Sequence, residues 1–129
     1  MKKILVLLLL AFVISEKTEL VKVEGEEFEI KLDGNPSTGY NWYLDNIKNF
    51  NYHTITPLNL SKSGTVQFIP DPNPNKVEAV GVGGHYIFKF RANKASDKAI
   101  LLRFIYKRGW TKGFAKEKIY KVKVVQKLN

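Results

Sequence analysis

The sequence predicts an all-β domain, an immunoglobulin-like β-sandwich of about seven strands with no disulfides. Three observations predict it. Apolar and polar residues alternate with period two along most of the chain, helical periodicity is nearly absent, and glycine- or proline-rich breakers recur at strand-length intervals. Many short strands within roughly a hundred residues is the sandwich pattern, here without a single cysteine and so without the Cys–Trp–Cys signature of antibody domains.

The first segment stands apart from that domain. Lys2 and Lys3 precede an unbroken apolar run, Ile4 to Ile14, and the sequence turns polar at Ser15 and Glu16. A basic start followed by eleven apolar residues reads as a secretory signal, too short to span a bilayer comfortably as a helix. Val13 and Ser15 fit the −3 and −1 positions of a cleavage site, so residues 1–15 are expected to be removed and 16–129 to form the mature domain. The expected location is the secretory pathway, outside the cell or in lysosome-like vesicles, with no membrane attachment after cleavage.

The strands follow in order. Leu20–Val23 is the first. Phe28, Ile30 and Leu32 alternate with Glu27, Glu29 and Lys31 in the second. Tyr40–Leu44 follows a turn, and Val66 with Phe68 suggests a fourth strand. Tyr86, Phe88 and Phe90 alternate with Ile87, Lys89 and Arg91. The run Ile100–Tyr106 is apolar on both faces apart from Arg103, as in a central strand. Tyr120, Val122 and Val124 close the list. Breakers lie at Gly25, Gly34–Gly39, Pro70–Gly84, Asn93–Asp97 and Gly109–Gly113. Pro70, Pro72 and Pro74 cannot donate to a ladder, so that connector belongs in a loop or at an edge. No repeat, linker or second domain is visible.

Composition removes several function classes. With Lys2 and Lys3 gone, 19 Lys and Arg remain against 12 Asp and Glu, a formal charge of +7. The basic residues, such as Lys118, Lys121 and Lys123, mostly interleave with apolar ones as on a solvated sheet face, so nucleic acid is not an expected partner. Without cysteine there is no thiol nucleophile, and two histidines, His53 and His85, are too few for a structural zinc site. Asp33 and Asp45 flank a loop, but no nucleophile–base–orienter set can be placed. Neither enzymatic activity nor a cofactor nor a metal is expected, and the chain is expected to be a monomer. Asn59-Leu60-Ser61 is a glycosylation sequon, whereas Pro36 disqualifies Asn35-Pro36-Ser37.

Three loops have compositions that strand connection alone does not explain. Gly34-Asn35-Pro36-Ser37-Thr38-Gly39-Tyr40 places two small hydroxyls between a fixed-φ proline and a glycine free to take positive φ. Gly81-Val82-Gly83-Gly84 puts three glycines before a strong strand, yet opens no helix and lacks the lysine of a phosphate-binding loop. Tyr106–Gly113 carries Trp110 between glycines and beside cations, the composition of an exposed binding hot spot; the alternative is that Trp110 folds back to cap the sandwich end. If successive strands run up and down, the second, fourth and sixth connections lie at one end, and these are the three loops. Convergent special loops on a rigid scaffold are how binding surfaces are built.

With those residues in view, the sequence resembles the chagasin family of cysteine peptidase inhibitors, whose members carry an NPTTG[YF] loop, a GxGG loop and an RP[WF] loop in this order. Here they read Asn35-Pro36-Ser37-Thr38-Gly39-Tyr40, Gly81-Val82-Gly83-Gly84 and Arg108-Gly109-Trp110. The resemblance spans essentially the whole mature chain, with two departures: Ser37 for a threonine and Gly109 for the family proline. It implies a secreted, reversible, tight-binding inhibitor of papain-like, cathepsin-type cysteine peptidases, endogenous or host. It further implies that Ser37 and Thr38 approach the catalytic pair as a wedge, with the glycine loop and the Trp110 loop straddling the cleft. Glycines 81, 83 and 84 would let backbone approach the partner closely, and the interface would bury roughly 800 Å² per partner. The competing expectation is a secreted sandwich binding carbohydrate or a cell-surface protein through the same loop end.

Overall fold

The computed structural model describes residues 17–36, 39–46, 51–72 and 83–128. Among these, eight strands are present: β1 (Lys17–Val23), β2 (Glu27–Gly34), β3 (Tyr40–Leu44), β4 (Ile55–Pro57), β5 (Phe68–Pro70), β6 (Gly84–Ala92), β7 (Ile100–Arg108) and β8 (Lys116–Val125). One sheet runs β1-β8-β7-β3 and the other β2-β6-β4, with β5 also on β6. The strand beyond the expected seven is β4. It spans three residues, too few for alternation to be read from sequence.

The period-two pattern sets which face each strand buries. Phe28, Ile30 and Leu32 of β2 turn inward with Tyr86, Phe88 and Phe90 of β6, and meet Trp42, Leu44, Leu102, Phe104, Val122 and Val124 of the facing sheet. Aromatic rings join the layers: Phe104 of β7 meets Phe88 edge-on at 4.7 Å and Phe90 at 6.5 Å, both from the facing β6. Arg103, the charge interrupting β7, sits on the outer face, paired with Asp45 and Glu117 and lying 5.1 Å from the Phe114 ring.

Strand direction departs from simple up-and-down succession in one respect. β4 and β5 both pair antiparallel with β6, at its two ends, so they run the same way along one edge. Asn59 fills the gap between them: its side-chain amide donates to Ile87 O at 2.8 Å and accepts from Lys89 N–H at 3.0 Å, standing in for a ladder rung. Because β4 and β5 count as one interrupted strand, the connections that follow keep the ends expected of them. β1 pairs parallel with β8 over seven rungs, Lys17↔Ile119 to Val23↔Val125, as it must if the first and last strands run alike.

Candidate functional site

Register brings the unusual loops to one end. Gly34, the last residue of β2, pairs with Gly84, the first of β6; Tyr40, the first of β3, pairs with Arg108, the last of β7. The Asn35 loop therefore leaves one sheet beside the glycine loop and enters the other beside the Trp110 loop. Ser37, Thr38, Gly81 and Val82 lie outside the described residues, so it is the flanks of the first two loops, and the whole of the third, that are placed together.

The first loop is pinned on both limbs. The Tyr106 hydroxyl accepts from Asn35 N–H at 3.1 Å and lies 3.2 Å from Asn35 O, to which it donates. Trp42 Nε1–H donates to Asp33 O at 2.9 Å. Gly39 N–H closes the loop onto Pro36 O at 2.9 Å, with φ +84° at Gly39. Below lies an aromatic stack, Tyr40 on Tyr106 at 5.2 Å and Trp42 on Tyr106 at 5.0 Å. Gly34 is glycine because rings crowd it: a Cβ there would stand 2.7 Å from the Tyr86 ring and 3.3 Å from the Tyr106 ring.

Tyr86 is fully buried beneath the loop, and its hydroxyl donates to Asn41 Oδ1 at 2.7 Å, with Tyr40 O at 3.3 Å. Burial, with Tyr106 and Tyr43 nearby, pushes its phenol up to about 12. Burial also raises the Tyr120 phenol. A phenol ionising later in the folded than in the unfolded chain contributes stability that is whole below about pH 10 and lost as pH climbs toward 12. The urea midpoint should therefore fall over that interval, and Tyr86→Phe should lessen the fall. At pH 7 the same variant should cost about 1–2 kcal/mol, because the Asn41 carbonyl loses its donor.

The third loop is a tight turn. Thr111 N–H donates to Arg108 O at 3.2 Å, and Thr111 Oγ1 lies 3.1 Å from the same oxygen. Trp110 does not fold back into the core; it is 74% exposed. Its ring stands over Gly39, where an added Cβ would come within 2.6 Å of Cη2. Arg108 lies 4.8 Å from the Tyr40 ring and 5.9 Å from the Trp110 ring. The first and third loops are thus one continuous surface.

Gly109 occupies the second position of the Arg108–Thr111 turn, where proline is accommodated in type I and II turns. A Cβ there would meet only Tyr43 Oη, at 3.3 Å, the far end of a side chain that can yield. Gly109→Pro is expected to raise stability by about 0.4–1 kcal/mol through a stiffer unfolded chain. A lowered urea midpoint would count against that turn geometry.

The second loop divides. Gly83 is exposed, with Gly34 O at 3.9 Å from a Cβ position, and its carbonyl accepts from Asp71 N–H at 3.0 Å. Gly84 is buried, and a Cβ there would collide with Ile69 O and stand 2.7 Å from Pro70 Cα, so its missing side chain makes room for β5.

The tip is electrically uneven. Asp33, Asp71 and His85 lie on the glycine-loop side. The β7–β8 hairpin brings Lys107, Arg108, Lys112, Lys116 and Lys118 to the other. Lys116 and Lys118 are not on a simple solvated sheet face: their ammonium groups cap the Tyr106 and Trp42 rings at 5.6 and 6.0 Å. No group of three or more His, Cys, Asp or Glu among the described residues is placed to hold a metal ion.

What sequence reasoning missed is the supporting role of four residues: Gly34, Trp42, Tyr86 and Tyr106. Their signal was the density of aromatics at the strand ends flanking the first and third loops.

The chain has relatives among known proteins. Residues 21–124 match the model of the chagasin family peptidase inhibitor I42. Amoebiasin-1 of Entamoeba histolytica is 28% identical over 110 residues, covering 85% of this chain and 91% of that protein. The fold is similar to that of the cysteine protease inhibitor EhICP2 from Entamoeba histolytica, with TM-score 0.61 at 21% identity over 85% of this chain and 88% of the other. It is also similar to PbICP-C, whose structure was solved in complex with falcipain-2, with TM-score 0.52 at 20% identity over 86% and 91% of the two chains. The match spans nearly the whole sandwich and both sheets, and the chain belongs to the chagasin family of peptidase inhibitors, not to the enzymes.

Proposed function

We propose that this chain inhibits papain-like cysteine peptidases by setting the tip made of residues 35–40, 81–84 and 108–110 into the active-site cleft. The observation that carries the reading is the contact of Trp110 with Gly39: a largely exposed indole is seated on the backbone of the neighbouring loop, so Gly39 and the third loop share one surface. The solved complex of PbICP-C with falcipain-2 supports the class of partner.

The chemistry follows from the supports. Pro36, the Gly39–Pro36 hydrogen bond and the Tyr106 clamp on Asn35 hold the two limbs of the first loop in advance, which lowers the conformational entropy lost on docking. A loop held at both limbs blocks the thiolate without yielding to the geometry that cleavage requires. Ser37 and Thr38, between the restrained Pro36 and Gly39, are the residues assigned to the catalytic pair. Gly83 presents backbone, Trp110 supplies apolar contact area, and Arg108 forms a polar rim. Residues 1–15 are read as a signal that routes the protein into the secretory pathway.

The direct test mixes the protein with papain and a chromogenic substrate. Stoichiometric loss of activity supports the reading. Undiminished activity at an excess of the protein excludes it for papain-like enzymes and leaves a binding module for carbohydrate or a cell-surface protein.

A further inference from the structure

Across the outer face of the second sheet, β2 and β6 present facing side chains on successive outward rungs. Glu27 faces Arg91 with a 2.8 Å ion pair, Glu29 faces Lys89, Lys31 faces Ile87, and Asp33 faces His85. The last rung differs from the others. His85 Nδ1 lies 2.7 Å from Asp33 Oδ1, and its Nε2 lies 2.9 Å from Asp71 Oδ1. Asp33 stands two residues before Asn35, at the root of the first loop. Asp71 follows β5, and its N–H bonds Gly83 O across the base of the second loop at 3.0 Å. One imidazole thus ties two loop roots together.

The hydrogen-bond inventory fixes which form of the ring can do this. An ionised carboxylate only accepts, and a neutral imidazole has one N–H and one bare nitrogen, so only the doubly protonated ring can donate to both partners. In the neutral form one carboxylate faces a lone pair and that contact must open. Among the described residues, the groups around the ring are Asp33 from β2, Asp71 after β5, Ile69 as its partner on β5, and Ile87 as the next outward residue of β6, with Lys31 and Lys89 farther along the face. The two ring nitrogens point to carboxylates on opposite sides, which do not converge on a common point where an ion could sit.

We propose that His85 is a positioning residue for inhibition: as the imidazolium it clips the root of the Asn35 loop to the root of the glycine loop and holds the tip in its binding geometry. The clip is complete while both ring nitrogens carry protons and opens when one proton is lost. The inhibitor is thereby matched to a peptidase working in an acidic compartment. This rests on the tip being the peptidase-binding surface; His85 acts through Asp33 and Asp71.

The test compares inhibition constants of the wild type and His85→Gln against one papain-like peptidase between pH 5 and 7.5. Taking their ratio at each pH cancels the titration of the peptidase itself. The variant should be weaker by about tenfold at pH 5, roughly the 1.4 kcal/mol of one decade, and converge to within about twofold at pH 7.5. Asp71→Asn should flatten the profile in the same way. A ratio constant across pH overturns the clip, because a merely structural histidine gives that result. If neither protein inhibits at any pH, the reading of the tip fails instead, and NMR of the free protein decides the clip. The Asn35 and Gly83 amide signals should then titrate together with the His85 ring and cease to do so in Asp71→Asn, with exposed His53 at the far end as reference. Amides indifferent to the His85 ring overturn the proposal.

Discussion

Trp110→Ala should weaken peptidase inhibition by about 2–4 kcal/mol, some 30- to 1,000-fold, while leaving the melting temperature nearly unchanged. The two halves of that expectation have separate causes. Trp110 is 74% exposed, so truncation removes little that the folded monomer has buried. In a complex the same indole would be covered, and a central tryptophan with rigid backing is the commonest form of hot spot. The backing here is Gly39, whose φ of +84° and contact with the ring both exclude a side chain. Gly39→Ala should therefore also weaken inhibition, by straining the left-handed backbone and by displacing the indole. The two substitutions should not add, because once the indole is gone a methyl at position 39 no longer displaces it. An inhibition constant for Trp110→Ala equal to that of the wild type would remove Trp110 from the interface.

Phe104→Ala should cost about 3–5 kcal/mol of folding stability, read as a lower urea midpoint at unchanged slope. Phe104 is fully buried on central strand β7, and its ring is the joint between the sheets: Phe88 at 4.7 Å and Phe90 at 6.5 Å come from the facing layer, Tyr120 at 5.7 Å from β8. Truncation leaves a cavity that three ring contacts border, and the domain has no cysteine with which to offset it. Net stabilities of about 5–15 kcal/mol are typical, so this one substitution is expected to bring the domain close to unfolding at body temperature. A loss below about 1 kcal/mol would mean that the sheets repack around the gap, contrary to a core organised on that ring.

Alternation along β2, β6 and β8 was enough to assign the sandwich, its inward residues and the order of its loops. Period two is a local property: each strand announces which face it buries whatever it pairs with. The three loop motifs were legible for a similar reason, since proline, glycine and an isolated tryptophan among glycines are conspicuous in any context. Convergence of the loops was inferred from counting connections, and the count survived an extra strand only because β4 and β5 run the same way along β6. That was not deducible, since a three-residue strand and an asparagine amide used as a rung carry no periodic signal.

By itself, then, the sequence determined an all-β sandwich without disulfides and the identity of the loops that matter. The tertiary structure decided how those loops are held: Tyr106 clamping Asn35, Tyr86 and Gly34 seating its root, Trp110 resting on Gly39, and His85 between Asp33 and Asp71. It also showed why position 84 is glycine, the close approach of β5. Each of these joins residues more than a dozen positions apart, and such pairings depend on register between strands, which a local pattern cannot specify.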